Sequence, residues 1–202
     1  MPAHRTSRAR TVLTPGSILD GALVVVHREG VAGLSIRKLA AELDVTPMAV
    51  YYHFVNKDSI LLGVIDRVVG EAAVTAHGVP RSCEHEWLLA TFRSMYDTLL
   101  VQPGLISLLA QSIGVSPNAR AVLGQVLGVL QQIGLDAPGS IRGFHALMSY
   151  TLGAASLRVQ VHDQASAQPE LSEELTPLVR GDFFEDGLEV VLSGLRVSGA
   201  TP

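Results

Sequence analysis

The feature that most restricts the fold of this chain is a recurring helix start followed by apolar residues at three- and four-residue spacing. Thr14 precedes Pro15 and Thr46 precedes Pro47. In each pair the threonine oxygen can accept a first-turn amide, and proline gives up nothing at a position whose N–H has no partner anyway. After Pro15, Ile18, Ala22 and Val25 form a stripe that Gly30 is expected to end. Asn56 can cap a longer helix to about Ala76 that carries Leu61, Val64, Ile65 and Val68. The spacing predicts a helix over 84–101 with Leu88, Phe92, Met95 and Leu99 inward and Trp87 and Thr91 on an adjoining face. Pro103 and Pro117 set off two more helices, and Gly124 and Gly128 in the second read as small faces for close packing. A helix over 140–160 follows, with Ile141, Phe144, Met148, Leu152 and Ala155 inward. Residues 162–181 read as a polar connector in which "PELSEELTPLV" can form a short helix. A last helix, capped by Asp182 with Glu185, carries Phe184, Leu188, Val191 and Leu195. No segment alternates apolar and polar residues as a half-buried strand does, so the expected fold class is all-α.

Between residues 30 and 57 the same reasoning gives two short helices joined by a tight turn. Ser35 caps the first, which turns Ile36, Leu39, Ala40 and Leu43 inward and leaves Arg37 and Lys38 outside. The second begins at Pro47 and contains Tyr51, Tyr52 and His53 in succession. Consecutive helical residues lie about 100° apart, so three such side chains sweep roughly 200° and cannot all be buried. Val50 and Phe54 supply the inward pair, which leaves Pro47, Met48, Tyr51 and Tyr52 as an exposed ridge with His53 at its edge. Short helix, turn and short helix form a helix-turn-helix, in which the second helix enters the DNA major groove. Rings and hydroxyls on that ridge suit thymine methyls, sugars and phosphates; Arg37 suits guanine and Lys57 a phosphate.

Composition narrows the classes. With 202 residues, 48% of them apolar, the chain can bury a substantial core. Residues 1–58 carry seven Lys/Arg against five Asp/Glu, whereas 59–202 carry eight against fourteen, so only the N-terminal part is suited to a polyanion. One cysteine, Cys83, excludes an internal disulfide and agrees with a cytoplasmic location. No secretory signal or membrane span is expected. His77, Cys83, Glu84 and His85 match no metal spacing, and neither a nucleophile motif, paired catalytic carboxylates nor a phosphate loop is present; no enzyme activity, cofactor or metal is expected. The segment "HRTSRAR" reads as a basic tail, with minor-groove tracking as the other reading.

The segment "LSIRKLAAELDVTPMAVYYHFVNKDSILLGVIDRVV", residues 34–69, resembles the DNA-binding region of the tetracycline-repressor (TetR) family of transcriptional regulators, most specifically in "VYYHFVNKD". "FFEDGLEVVLSGLRV", residues 183–197, is similar to the closing dimerisation helix of the subfamily that contains the tetracycline repressor. The resemblance implies an all-helical homodimer with a three-helix head and a larger inducer-binding body. Position by position it implies DNA contacts for Arg37, Thr46, Pro47, Met48, Ala49, Tyr51, Tyr52, His53 and Lys57. Asp44 stands where the family's turn often has glycine. Ser94 and Thr98 stand where the tetracycline repressor has polar residues for its drug and magnesium, so tetracycline is not the expected ligand.

The expected organisation is a flexible basic arm over 1–13, a DNA-binding domain over 14–58 and a ligand-binding and dimerisation body over 59–202. The helix from Asn56 to Ala76 would be the lever between ligand and DNA. Trp87, Thr91, Met95, Thr98, His145 and Met148 are the candidate lining of a pocket for a small, mostly apolar effector. Gly153, Phe184, Gly187, Leu188 and Val191 are the candidate homodimer contacts, with the two glycines allowing close approach. The function expected is a repressor bound to a palindromic double-stranded operator and released by its effector. Two other readings share these features: a DNA-binding regulator gated by a protein or ungated, and a helical enzyme or carrier.

Overall fold

A computed structural model of the chain describes residues 13–76, 83–111, 116–167 and 183–199. The basic tail, His77, the "PELSEELTPLV" segment and Asp182 lie outside them. The described residues form nine helices and no strand: α1 (Pro15–Gly33), α2 (Ile36–Glu42), α3 (Pro47–His53), α4 (Lys57–Ala76), α5 (Glu84–Val101), α6 (Gly104–Gln111), α7 (Pro117–Gln132), α8 (Ala137–Ala167) and α9 (Phe184–Gly199). None of these is long and apolar enough to cross a membrane. The chain divides into two compact units, the first ending at Ile60 and the second beginning at Leu61.

In the first unit α2 packs on both α1 and α3. Its core is Ile18, Ala22, Val25, Val26, Leu39, Ala40 and Val50. Gly21 permits the close approach of α1 to α2, because a Cβ there would lie 2.7 Å from Leu43 Cδ2. Gly30 breaks α1 as expected, at φ 71°, but a helical turn resumes through Gly33. Glu29 then ties α1 to α2: it accepts from Lys38 and from Arg28, and Arg28 also donates to Glu42 at 3.1 Å. The Lys38 and Arg28 contacts hold the Glu29 carboxyl below its ordinary pKa.

α2 ends in a Schellman turn, with Val45 N–H donating to Ala40 O at 2.9 Å and Asp44 N–H to Ala41 O at 3.3 Å. The turn requires a left-handed residue, and Asp44 takes that conformation at φ 54°. Aspartate tolerates this better than most residues but less well than glycine. Asp44→Gly should therefore raise the unfolding free energy of this unit by about 0.5–1 kcal/mol, read from urea denaturation.

In the second unit α8 is central, in contact with α5, α6, α7 and α9. Phe92, Leu88, Leu99, Leu130, Leu147, Leu188 and Leu192 are fully buried. The inward face of α8 differs from the expected stripe: Ile141 is 60% exposed, and Gly139, Ser140, Gly143, Leu147, Met148, Thr151 and Ala155 are buried. Small residues there allow close helix approach. The buried hydroxyls are satisfied within the helix, Thr151 donating to Leu147 O and Ser140 to Ala137 O, each at 2.8 Å. α8 also runs through Ala167, so the first part of the expected connector is helical. Asn118 fastens α7 to α4, donating through its backbone to Asp66 Oδ1 (2.7 Å) and through its side chain to Asp66 O (2.9 Å).

Candidate nucleic-acid interface and the effector body

Three capped helix starts build the candidate interface. Ser35 Oγ accepts from Lys38 N–H at 3.2 Å, Thr46 Oγ1 from Ala49 N–H at 3.3 Å, and Asn56 Oδ1 from Ser59 N–H at 2.8 Å. These caps fix where α2, α3 and α4 begin, and hence which face of α3 is free. Val50 is completely buried and holds α3 to the core, while Phe54 is half-buried. On the opposite side Met48 is 74% exposed, Tyr52 86% and Tyr51 48%. Pro47 and Thr46 are exposed beside them, and Ala49 and His53 are half-buried. The His53 ring stands edge-on to Tyr52, with centroids 5.1 Å apart. Arg37 is exposed on α2.

The ridge is thus an exposed apolar and aromatic surface, suited to a groove and not to self-burial, and a guanidinium is exposed on the adjoining helix α2. Two features were not visible in the sequence. Val55, just past α3, is 82% exposed and enlarges the apolar surface. Lys57 is half-buried, and its ammonium donates to Val31 O at 2.8 Å, near the end of α1. It therefore anchors the first unit as well as offering its remaining N–H donors to an anion.

Among the described residues, the six candidate pocket residues differ in burial. Trp87, Thr91, Met95 and Met148 are buried, Thr98 is half-buried and His145 is exposed. The Thr91 and Thr98 hydroxyls donate to Trp87 O and Ser94 O, each at 2.8 Å, so both hydrogens are already used within α5. Of the six, Trp87 alone borders a cavity of about 370 Å³, which it shares with Ala121, Gly124, Gln125, Gly128, Val129 and Gln132 of α7. The expectation that Gly124 and Gly128 serve close packing does not hold, since a Cβ at either would meet nothing within 4 Å. Helical spacing located the apolar face of α5 but could not distinguish packed core from cavity wall.

The candidate dimer residues also separate. Gly153 is exposed, with open space around it. Gly187 lies against its own chain, where a Cβ would fall 2.0 Å from Tyr150 Oη. Tyr150 donates to Phe184 O at 3.1 Å, and Phe184 is stacked between Tyr96 (centroids 4.0 Å) and Tyr150 (5.5 Å). Phe184 and Leu188 are accordingly buried within one chain, and Val191 is half-buried. Arg93 bridges to Asp97 (3.0 Å) and Glu185 (3.3 Å), and His85 Nε2 lies 2.9 Å from Glu189 Oε2, so polar contacts too hold α9 to α5. Outside this packing runs a mostly apolar trough of about 500 Å³ lined by Gly153, Ala154, Leu157, Val161, Phe183 and parts of Tyr96, Tyr150 and Phe184, with Ser149 and Arg158 also on its wall.

Two family profiles match this arrangement: that of the bacterial regulatory proteins of the tetR family over residues 18–64, and the tetracyclin repressor-like C-terminal domain over 84–179. A curated HTH-type transcriptional regulator of Saccharopolyspora erythraea is 28% identical over 192 residues, covering 91% of this chain and 80% of the relative. The class A tetracycline repressor of transposon 1721 from Escherichia coli is 29% identical, with 92% of this chain and 91% of the repressor covered. Among solved structures, apo ActR of Streptomyces coelicolor superposes with a TM-score of 0.72 at 26% identity, covering 95% of this chain and 98% of that one. BioQ, solved with its natural double-stranded DNA operator, gives 0.66 at 24% identity over 92% of this chain and 99% of that one. The helix-turn-helix with its exposed aromatic ridge, the helical body and both profiles together make this chain a member of the TetR family of transcriptional regulators.

Proposed function

We propose that the chain is an effector-responsive repressor that binds a palindromic operator as a homodimer. The observation that carries this reading is the ridge of Met48, Tyr51 and Tyr52, exposed on a short helix whose start and inward face are both fixed. To Arg37, Thr46, Pro47, Ala49, His53 and Lys57 we assign the remaining DNA contacts. The operator complex of BioQ supports a DNA role for the shared fold. Two heads must stand about 34–36 Å apart to enter successive major grooves, and an effector that favours another separation lowers operator affinity by its differential affinity for the two states. Tyr52→Ala should weaken operator binding by about 1–3 kcal/mol while leaving thermal unfolding and sedimentation unchanged, because the side chain is 86% exposed. Wild-type operator affinity in that variant would remove the ridge from the interface.

The effector site we assign to the space beside Trp87. Ala121, Gly124 and Gly128 leave room there, the indole offers a flat apolar wall, and Gln125 and Gln132 supply amides without a formal charge. Those groups suit a small, neutral, mostly apolar ligand with a few hydrogen-bonding atoms. Met95 and Met148, buried but absent from this lining, we assign to the core. Gly128→Leu should fill the space, improve helix propensity and abolish release from the operator while leaving operator affinity intact. Reporter assays with a panel of neutral hydrophobic compounds provide the check; undiminished release in the folded variant would place the effector elsewhere. The apolar trough along α8 and α9 we assign to a second copy of the chain, with Gly153 in the contact.

A further inference from the structure

We propose that α3 identifies its operator half-site chiefly by the 5-methyl groups of thymine, touched by Met48 and the adjoining tyrosine rings, and not by paired hydrogen bonds to purine edges. The inference rests on the operator-binding reading above and adds the chemistry of the DNA that is bound.

From Pro47 to His53 the helix contains no Arg, Lys, Asn, Gln, Asp or Glu. Those are the side chains able to match a guanine, adenine or cytosine edge by charge or by two-point donor and acceptor geometry. The residues that project instead are Met48, 74% exposed, and Tyr52, 86% exposed, with Tyr51 at 48% on the same strip. Positions 48, 51 and 52 share one helix face by their spacing of three and four. Of the polar groups present, the Thr46 oxygen already accepts from Ala49 N–H, and the His53 ring is half-buried against Tyr52. In unmodified DNA the thymine methyl is the one apolar group that a base presents in the major groove. A flexible thioether standing free on a recognition helix is chemically matched to it. Arg37 is the only arginine in α2 or α3, so the guanidinium readout available to these helices is confined to one residue per half-site.

The test begins by selecting an operator from a randomised duplex pool with the purified full chain. Deoxyuridine is then substituted for each thymidine in turn, which removes the methyl and leaves every hydrogen-bonding edge in place. At one or more positions per half-site the affinity should fall about fourfold, and about fifteenfold when both half-sites are changed, as expected for losing one buried methyl in each. Replacing that T·A pair by 5-methylcytosine·G should be tolerated better than replacing it by C·G. Met48→Ala, which truncates an exposed side chain, should bind the thymidine and deoxyuridine operators alike, so that the two changes are non-additive. An enriched operator whose affinity is indifferent to deoxyuridine throughout would overturn this inference alone. Sensitivity that persists in both Met48→Ala and Tyr52→Ala would likewise overturn the assignment to this ridge. If no sequence is enriched, the operator reading itself fails, and this inference with it.

Discussion

Leu188→Glu is expected to unfold the C-terminal unit, not merely to separate two copies of the chain. Leu188 has no solvent exposure within a single chain and lies on the same face of α9 as Phe184 and Leu192, which are 3% and 0% exposed. Removing the side chain from the core forfeits about 1.5–3 kcal/mol of transfer energy. An unpaired carboxylate in that position adds several kcal/mol more or forces its own protonation. The sum is comparable with the whole stability of a typical domain, roughly 5–15 kcal/mol. Circular dichroism and urea titration should show a collapsed or absent cooperative transition for this unit. A cooperatively folded monomer would mean that Leu188 faces a partner after all.

Val190→Glu is expected to give the opposite phenotype, a folded chain that no longer pairs. Val190 is 72% exposed, and Leu157 and Phe183 are exposed by 63% and 57%. Leu157 and Phe183 line the trough, and Val190 lies seven residues, about two helical turns, beyond Phe183 and so on the same side of α9. A twofold contact over that surface would bury the new carboxylate in each copy. Splitting the dimer also removes the second head, so operator affinity should fall by about 10²–10⁴ through lost multivalency alone. Sedimentation velocity at micromolar concentration and an operator titration check both parts. A dimer that survives with wild-type operator affinity would place the interface on another face.

The contrast between Leu188 and Val190 shows what kind of information the sequence holds. Caps at Thr14, Ser35, Thr46 and Asn56 were legible because each is a local contact between residues three apart, and all four are present. The exposure of Tyr51 and Tyr52 was legible because three adjacent large side chains cannot share one buried face. The stripe of α9 was legible as a buried face, but periodicity does not say what buries it; Tyr96 and Tyr150, distant in sequence, do so by stacking on Phe184. The stripe of α8 was legible only in part, for a related reason. Met148 and Ala155 are buried as expected and Phe144 and Leu152 half-buried, but Ile141 faces outward and Ser140, Gly143 and Thr151, which hydrophobicity does not single out, complete the inward face. The cavity beside Trp87 is an absence of atoms between two helices, and no residue pattern within either helix encodes it.

The most direct test of the account is the salt dependence of binding by the purified chain to its selected palindrome and to an unrelated duplex of equal length. The account predicts tight binding to the palindrome, with a logarithmic salt slope reflecting several phosphate contacts, and binding to the unrelated duplex weaker by about 10³-fold or more. It further predicts that Arg37→Ala lowers affinity for the palindrome far more than for the unrelated duplex, because that side chain reads a base. Equal affinity for the two duplexes at every salt concentration, or no salt-dependent binding at all, would contradict it.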